Sequence, residues 1–157
     1  AVLPNVISFN SAISACEKGH QWEPALQLLA EARARGLSPS VVTYSAAISA
    51  CEKGQQWERV LVLLEEMRQT SGIAPNAVTY GAAIVACERA MQWPLALRLF
   101  DGAQERRVAP SVITYSAAIG ACEAGQQWQR ALALFRGMQE SFLRADERAF
   151  SALISAC

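Results

Sequence analysis

The chain has 157 residues, half of them apolar, with fourteen basic and fourteen acidic side chains and a formal net charge of zero. That balance excludes a disordered polyelectrolyte. It also argues against a domain that holds a polyanion by bulk charge, leaving a local basic stripe as the alternative. No apolar run reaches the roughly 18 residues of a membrane span.

The chain repeats itself from its first helix onward. Ser11-Ala-Ile-Ser-Ala-Cys-Glu-Lys-Gly19 returns nearly unchanged at Ala46–Gly54, again around Ala82–Arg89 and Ala117–Ala124, and in part at Ser151–Cys157. Cys16, Cys51, Cys87, Cys122 and Cys157 mark the period, about 35 residues, and Trp22, Trp57, Trp93 and Trp128 keep the same steps. A period of this length implies a stacked array in which each repeat buries its apolar face against its neighbours. The predicted repeats are 6–40, 41–76, 77–111 and 112–146, preceded by the partial end 1–5 and followed by the partial repeat 147–157. The chain opens without an initiator Met or a targeting pattern and closes inside a repeat, so a segment of a longer protein is expected.

Within each repeat the apolar spacing is helical. Tyr44, Ala47, Ile48 and Cys51 fall on one face of a first helix, A. Trp57, Val60, Leu61 and Leu64 do the same on a second helix, B, as do Trp22, Ala25, Leu26, Leu29; Trp93, Ala96, Leu97, Phe100; and Trp128, Ala131, Leu132, Phe135. Nothing alternates with period two. The predicted fold class is all-α, an α-α superhelix (solenoid) of stacked helix-turn-helix repeats.

The boundaries have chemical reasons. Gly19, Gly54 and Gly125 suit a left-handed residue ending helix A, and Ala90 predicts a less clean ending in the third repeat. Pro39, Pro75 and Pro110 are expected to stop helix B. Asn5, Ser40, Asn76, Ser111 and Asp146 are good N-caps for the following helix A. One extra residue near Thr70-Ser71-Gly72 falls in a loop, where it costs little. Alanines on helix A permit close helix approach, and the tryptophans are expected to be core anchors. Equivalent cysteines on helices about 8–10 Å apart cannot form disulfides, so five buried structural thiols are expected.

Val41-Val-Thr-Tyr-Ser-Ala-Ala-Ile-Ser-Ala-Cys-Glu-Lys-Gly54, followed by Gln-Trp, Leu-Leu-Glu-Glu-Met and Pro75-Asn76, resembles the pentatricopeptide repeat. The tetratricopeptide repeat, the nearest rival, places its Trp in the first helix. The resemblance implies organellar binding of single-stranded RNA, one base per repeat. It implies that the fifth residue of each repeat and its last residue face one base. Carried across, these pairs are Asn10 with Ser40, like a cytosine reader; Ser45 with Asn76, like an adenine reader; Gly81 with Ser111, which departs from the pattern; and Ser116 with Asp146, like a guanine reader. It further implies aliphatic wedges between bases at Ile7, Val42, Val78 and Ile113, with Arg148 breaking the row. It implies phosphate contacts at Lys18, Lys53 and Arg89, with Ala124 in the fourth repeat. The implied RNA is 5′-C-A-N-G-3′, in a mitochondrion or chloroplast.

Each part of this reading has a plainer rival. The last position is an N-cap, where Ser, Asn and Asp are interchangeable; the fifth position, inside helix A, lacks that excuse. The basic residues complement the helix dipole, and Glu17, Glu52 and Glu88 beside them offset their charge. A protein-interaction scaffold within a large organellar complex is the alternative function. Favouring it are the neutral charge, Gly81, and the apolar face of Phe150, Leu153, Ile154 and Cys157, which needs further repeats or a partner to cover it. No catalytic, metal or cofactor constellation is expected: the H-x-E and C-x-x-C of a deaminase are missing, and His20 stands alone.

Overall fold

The computed structural model describes residues 5–70 and 72–157. These residues form helices only: α1 (Val6–Lys18), α2 (Trp22–Ala34), α3 (Val41–Lys53), α4 (Trp57–Gln69), α5 (Ala77–Arg89), α6 (Trp93–Glu105), α7 (Val112–Ala124), α8 (Trp128–Glu140) and α9 (Glu147–Ala156). Odd-numbered helices are A helices and even-numbered ones are B helices. The fold is all-α, built of stacked helix-turn-helix repeats. The chain divides into two compact units, 1–82 and 83–157.

Every A helix begins at the same chemical device. Asn5, Ser40, Ser111 and Asp146 are N-caps whose side chains accept from the backbone N–H three residues on. Asn76 does likewise, its Oδ1 accepting from Val78 N at 3.0 Å and Thr79 N at 3.1 Å. Threonine at that third position completes a reciprocal box: the N–H of Ser40 donates to Thr43 Oγ1 at 2.9 Å, and that of Asn76 to Thr79 Oγ1 at 2.8 Å. Such boxes satisfy two otherwise unpaired donors at each helix start.

The A helices end differently from expectation. Gly19, Gly54 and Gly125 have ordinary φ values of −83°, −81° and −90°. The left-handed residue is the next one, His20, Gln55, Met91 or Gln126, with φ of 53–58°. The residue after it donates its N–H back to the carbonyl of Cys16, Cys51, Cys87 or Cys122 at 2.8–2.9 Å. This closes the Schellman pattern and offsets the strain of a non-glycine left-handed residue. Ala90 therefore does not blur the end of α5, whose closing bonds match the others.

The glycines answer to the tryptophans instead. A Cβ on Gly54 would lie 2.2 Å from Trp22 Cδ1, and one on Gly125 would lie 2.6 Å from Trp93 Cδ2. Each ring thus crosses onto the end of the next A helix. The tryptophans are not core anchors: Trp22, Trp57 and Trp93 are half-buried and Trp128 is 48% exposed.

The prolines do not stop the B helices either. α2 ends at Ala34 and α6 at Glu105, several residues before Pro39 and Pro110. Gly36, Arg107 and Phe142 take left-handed φ at these ends. After α4, Thr70 is extended and Gly72 is left-handed. Ser71, at the expected insertion, lies outside the described residues.

In the first unit α3 packs on α1, α2 and α4; in the second, α7 packs on α6, α8 and α9. Ala46, Ala47, Ile48, Ala50 and Cys51 of α3 are buried, as are Ala117, Ala118, Ile119, Ala121 and Cys122 of α7. Small side chains let these helices approach closely. The B-helix stripe runs one turn further than its leucines suggest, to Ala32, Met67, Ala103 and Met138. Arg33 and Arg68 at the ends of B helices donate to the hydroxyls of Tyr44 (2.8 Å) and Tyr80 (3.2 Å) on the next A helix.

The thiols are unpaired. Cys51, Cys87 and Cys122 are buried, but Cys16 is half-buried and Cys157, the C-cap of α9, is exposed. Helices α3 and α7 are packed on more sides than α1 and α9, which accounts for the difference. Burial pushes the Cys51, Cys87 and Cys122 thiols up to about 11. At pH 8 they are protonated and shielded, so an alkylating reagent is expected to label Cys157 first, then Cys16. The other three should label only as fast as the fold opens. Because their folded values lie above the unfolded one, their neutral form is fully stabilising below the ordinary thiol range. That stability is lost as pH rises from about 9 toward 11. Mass-spectrometric mapping of timed alkylation checks the order.

Candidate nucleic-acid interface

The A helix has a second stripe opposite its core face. Positions two, five, nine and twelve of each repeat recur at helical spacing. They read Ile7, Asn10, Ser14, Glu17; Val42, Ser45, Ser49, Glu52; Val78, Gly81, Val85, Glu88; and Ile113, Ser116, Gly120, Glu123. Positions four, seven, eight and eleven form the core stripe and are buried in α3, α5 and α7.

Position two is apolar yet uncovered. Ile7 is 72% exposed, Val42 59%, Val78 56% and Ile113 63%. Covering a Val or Ile fully contributes about 1.5–3 kcal/mol, so the aliphatic exposed at the same point of every full repeat is apolar area open to a partner.

Of the three predicted pairs whose members lie in one compact unit, the first and the fourth meet through a hydrogen bond. Asn10 Nδ2 lies 3.4 Å from Ser40 Oγ, and Thr43 Oγ1 donates to Asn10 Oδ1 at 2.5 Å. Ser116 is only 1% exposed. Its hydroxyl sits 2.8 Å from both Asp146 Oδ1 and the Val112 carbonyl, with one proton to share between them. Asp146 Oδ1 also accepts from the N–H of Ala149 at 2.9 Å. Among the described residues no hydrogen bond reaches Asp146 Oδ2. Ser116 thus orients Asp146, and the carboxylate is the exposed member of the pair. The second pair makes no mutual hydrogen bond: Ser45 Oγ is buried without a partner, and Asn76 is engaged through Oδ1 in capping. Gly81 and Ser111 belong to different compact units; Ser111 Oγ accepts from Thr114 N at 3.2 Å.

The basic positions are less free than their sequence suggests. Lys53 pairs with Glu17 of the preceding repeat at 3.0 Å, so the neutralisation runs between repeats rather than between chain neighbours. Lys18 is exposed at the end of α1 and Arg89 at the end of α5. The glutamates beside them form an acidic row at position twelve, which reading them only as chain-neighbour counter-charges does not reveal. Its signal was present: glutamate fills that position in all four full repeats, on the stripe of the candidate readout residues.

Among the described residues no group of His, Cys, Asp or Glu could hold a metal ion. Nor, among the described residues, is any helix long and apolar enough to cross a membrane.

Comparison with known proteins completes the picture. Profiles described as PPR repeat family, pentatricopeptide repeat domain and PPR repeat match residues 4–53, 62–124, and 42–70 with 113–141. No curated protein matches in sequence. Among solved structures, the pentatricopeptide repeat protein PPR10 from maize superposes with a TM-score of 0.80 at 19% identity, over 98% of this chain and 22% of that one. PPR10 in complex with an 18-nt psaJ RNA element gives 0.78 at 19%, over 99% and 23%. The PPR domain of Arabidopsis thaliana protein-only RNase P 1, in complex with tRNA, gives 0.87 at 12%, over 99% of this chain and 82% of that one. The chain thus spans under a quarter of PPR10's length, and these likenesses establish the fold as the helical-repeat solenoid. With matched segments running almost end to end and the same helix-turn-helix stacking, this chain belongs to the pentatricopeptide repeat family.

Proposed function

We propose that this chain binds single-stranded RNA along the second stripe of its A helices, one nucleotide per repeat, with a preference for 5′-C-A-N-G-3′. It would serve organellar transcript stabilisation, processing, editing or translation by occupying the RNA, in a mitochondrion or chloroplast. The observation that carries this reading is the exposed aliphatic at position two of every full repeat, set beside polar pairs that touch each other in the first and fourth. Aliphatic faces suit the flat surfaces of unstacked bases, and neighbouring polar groups suit their edges. PPR10 and the RNase P 1 domain, similar in fold, are each in complex with RNA. Ile7, Val42, Val78 and Ile113 would wedge between bases. Asn10, Ser40, Ser45, Asn76 and Asp146 would read edges, with Ser116 orienting Asp146. Lys18, Lys53 and Arg89 would approach phosphates.

Because Lys53 is already paired, few phosphate contacts are available, and the salt dependence should be shallow, about 0.7 per contact in log–log slope. The test is equilibrium binding of the chain to RNA containing C-A-N-G against a shuffled RNA at two salt concentrations. Preference for the first supports the reading. Equal, negligible binding to both favours the second reading, a protein-interaction scaffold, for which the Glu17–Lys53 pair and the zero net charge speak.

Asn76→Asp refines the test. Asp keeps the oxygen that caps α5, so the fold is retained, while the amide donor becomes an acceptor. Preference at the second base is expected to move from adenine to guanine by about tenfold, the size of one hydrogen bond to a charged group. An unchanged preference removes Asn76 from base readout.

A further inference from the structure

The partial fifth repeat breaks the aliphatic row. Where Ile7, Val42, Val78 and Ile113 stand, α9 carries Arg148. Its Nη2 donates to Glu88 Oε2 at 2.5 Å, across 60 positions of sequence. Glu88 lies on α5 and Arg148 on α9, with α7 between them in chain order and packed against α9. Glu88 also lies against α7 at Gly120: a Cβ there would sit 2.9 Å from Glu88 Oε1. A glycine inside a helix costs about as much as an exposed ion pair returns. A purely structural bridge is therefore a poor explanation for the clearance. Glu88 is the more covered partner, its side chain 17% exposed against 42% for Arg148. The anion is the anchor and the guanidinium is the presented group.

Beside the bridge runs a groove of about 510 Å³, lined by Glu88, Gly120, Asp146 and Arg148, and also by Glu123 and Glu147. Among its lining residues Arg148 is the single cation. So acidic a wall repels phosphate and favours a ligand edge that presents N–H donors. Guanine presents two such hydrogens on its Watson–Crick edge, on N1 and N2. The groove also contains the carboxylate of Asp146, whose Oδ2 makes no hydrogen bond among the described residues. A guanidinium held edge-on by a carboxylate keeps its flat face open for stacking, which a lysine ammonium cannot offer.

Building on the RNA-binding reading above, we propose that Arg148, oriented by Glu88 across Gly120, is the stacking platform for the guanine that Asp146 reads. It replaces the aliphatic wedge of the other repeats. The base would rest with its donor edge toward Asp146 and one face on the guanidinium, its phosphate held outside the acidic groove.

The experiment measures affinity of the chain for a synthetic single-stranded RNA containing C-A-U-G, for the same RNA with an abasic site replacing the guanine, and for a shuffled RNA. Arg148→Ala is expected to weaken binding to the first about fivefold or more, the lower range of stacking on one base, and to leave the abasic RNA unaffected. Arg148→Lys should behave like Arg148→Ala. Gly120→Ala, which displaces the Glu88 carboxylate without changing any charge, should give a smaller loss on the guanine RNA alone. An equal loss on the abasic RNA would make Arg148 a phosphate contact and overturn the proposal, as would wild-type affinity in Arg148→Lys. If the unaltered chain cannot tell C-A-U-G from shuffled RNA, the RNA-binding reading itself falls and takes this one with it. Discrimination that survives unchanged in Arg148→Ala defeats the stacking role alone.

Discussion

Truncating Phe100 to alanine is expected to lower the unfolding free energy by about 3–5 kcal/mol. Phe100 is fully buried on α6 and meets Tyr115 of α7 edge to face, ring centroids 5.2 Å apart. The ring contact adds about 0.5–1.5 kcal/mol to what burial alone supplies. What makes the loss severe is the neighbouring surface. α6 packs on α7, whose buried positions 117, 118 and 121 are all alanine. Such short side chains cannot swing into the space a benzyl group vacates, so the cavity stays open. The equivalent residues of the first two repeats are Leu29 and Leu64, both buried. Phe100→Leu should accordingly cost under about 1.5 kcal/mol, because the scaffold already accommodates leucine there. Urea denaturation followed by circular dichroism checks both. A repeat array couples each repeat only to its neighbours, so Phe100→Ala should also lower the apparent m-value as the transition loses cooperativity. A loss below 1 kcal/mol with an unchanged m-value would mean that α7 closes the gap after all.

The elements that could be read from sequence are those decided within a few residues. Asn5, Ser40, Asn76, Ser111 and Asp146 cap helices because each needs only its own side chain and the next three backbone amides. The stripes of α3 and α4 follow from helical spacing alone. Several of the readings that failed depended on a neighbouring repeat. Gly54 looked like a left-handed terminator because sequence shows its place in the helix but not Trp22 lying against it. Lys53 looked balanced by its chain neighbour Glu52; its partner at 3.0 Å is Glu17, one repeat back. Ser116 looked like a reader in its own right, yet stacking buries it and leaves Asp146 as the presented group. The candidate site was visible as a pattern of positions. Its working parts were not, because the groups that orient one another sit 30 or 60 residues apart.

The Trp22–Gly54 contact gives the second large effect, and it separates two meanings of glycine in one protein. Gly54→Ala introduces a Cβ 2.2 Å from Trp22 Cδ1 and 2.7 Å from Cγ. The indole must retreat by more than an ångström, and it is not free to do so cheaply: the Arg59 guanidinium lies over its ring at 5.1 Å. Overpacking of this kind costs about 1–3 kcal/mol. Gly19 holds the same position in the first repeat, with φ of −83°, and a Cβ there would meet nothing closer than the Ala15 carbonyl oxygen of its own helix at 3.5 Å. Gly19→Ala should therefore stabilise by about 0.4–1 kcal/mol, since alanine narrows the unfolded ensemble at no native cost. The two alanines, identical in chemistry and repeat position, are expected to shift the urea midpoint in opposite directions. Trp22→Leu supplies the coupling: in that background Gly54→Ala should lose most of its penalty, giving a non-additive cycle. Equal shifts for the two glycines, or full additivity with Trp22→Leu, would mean that the ring is not what keeps position 54 bare.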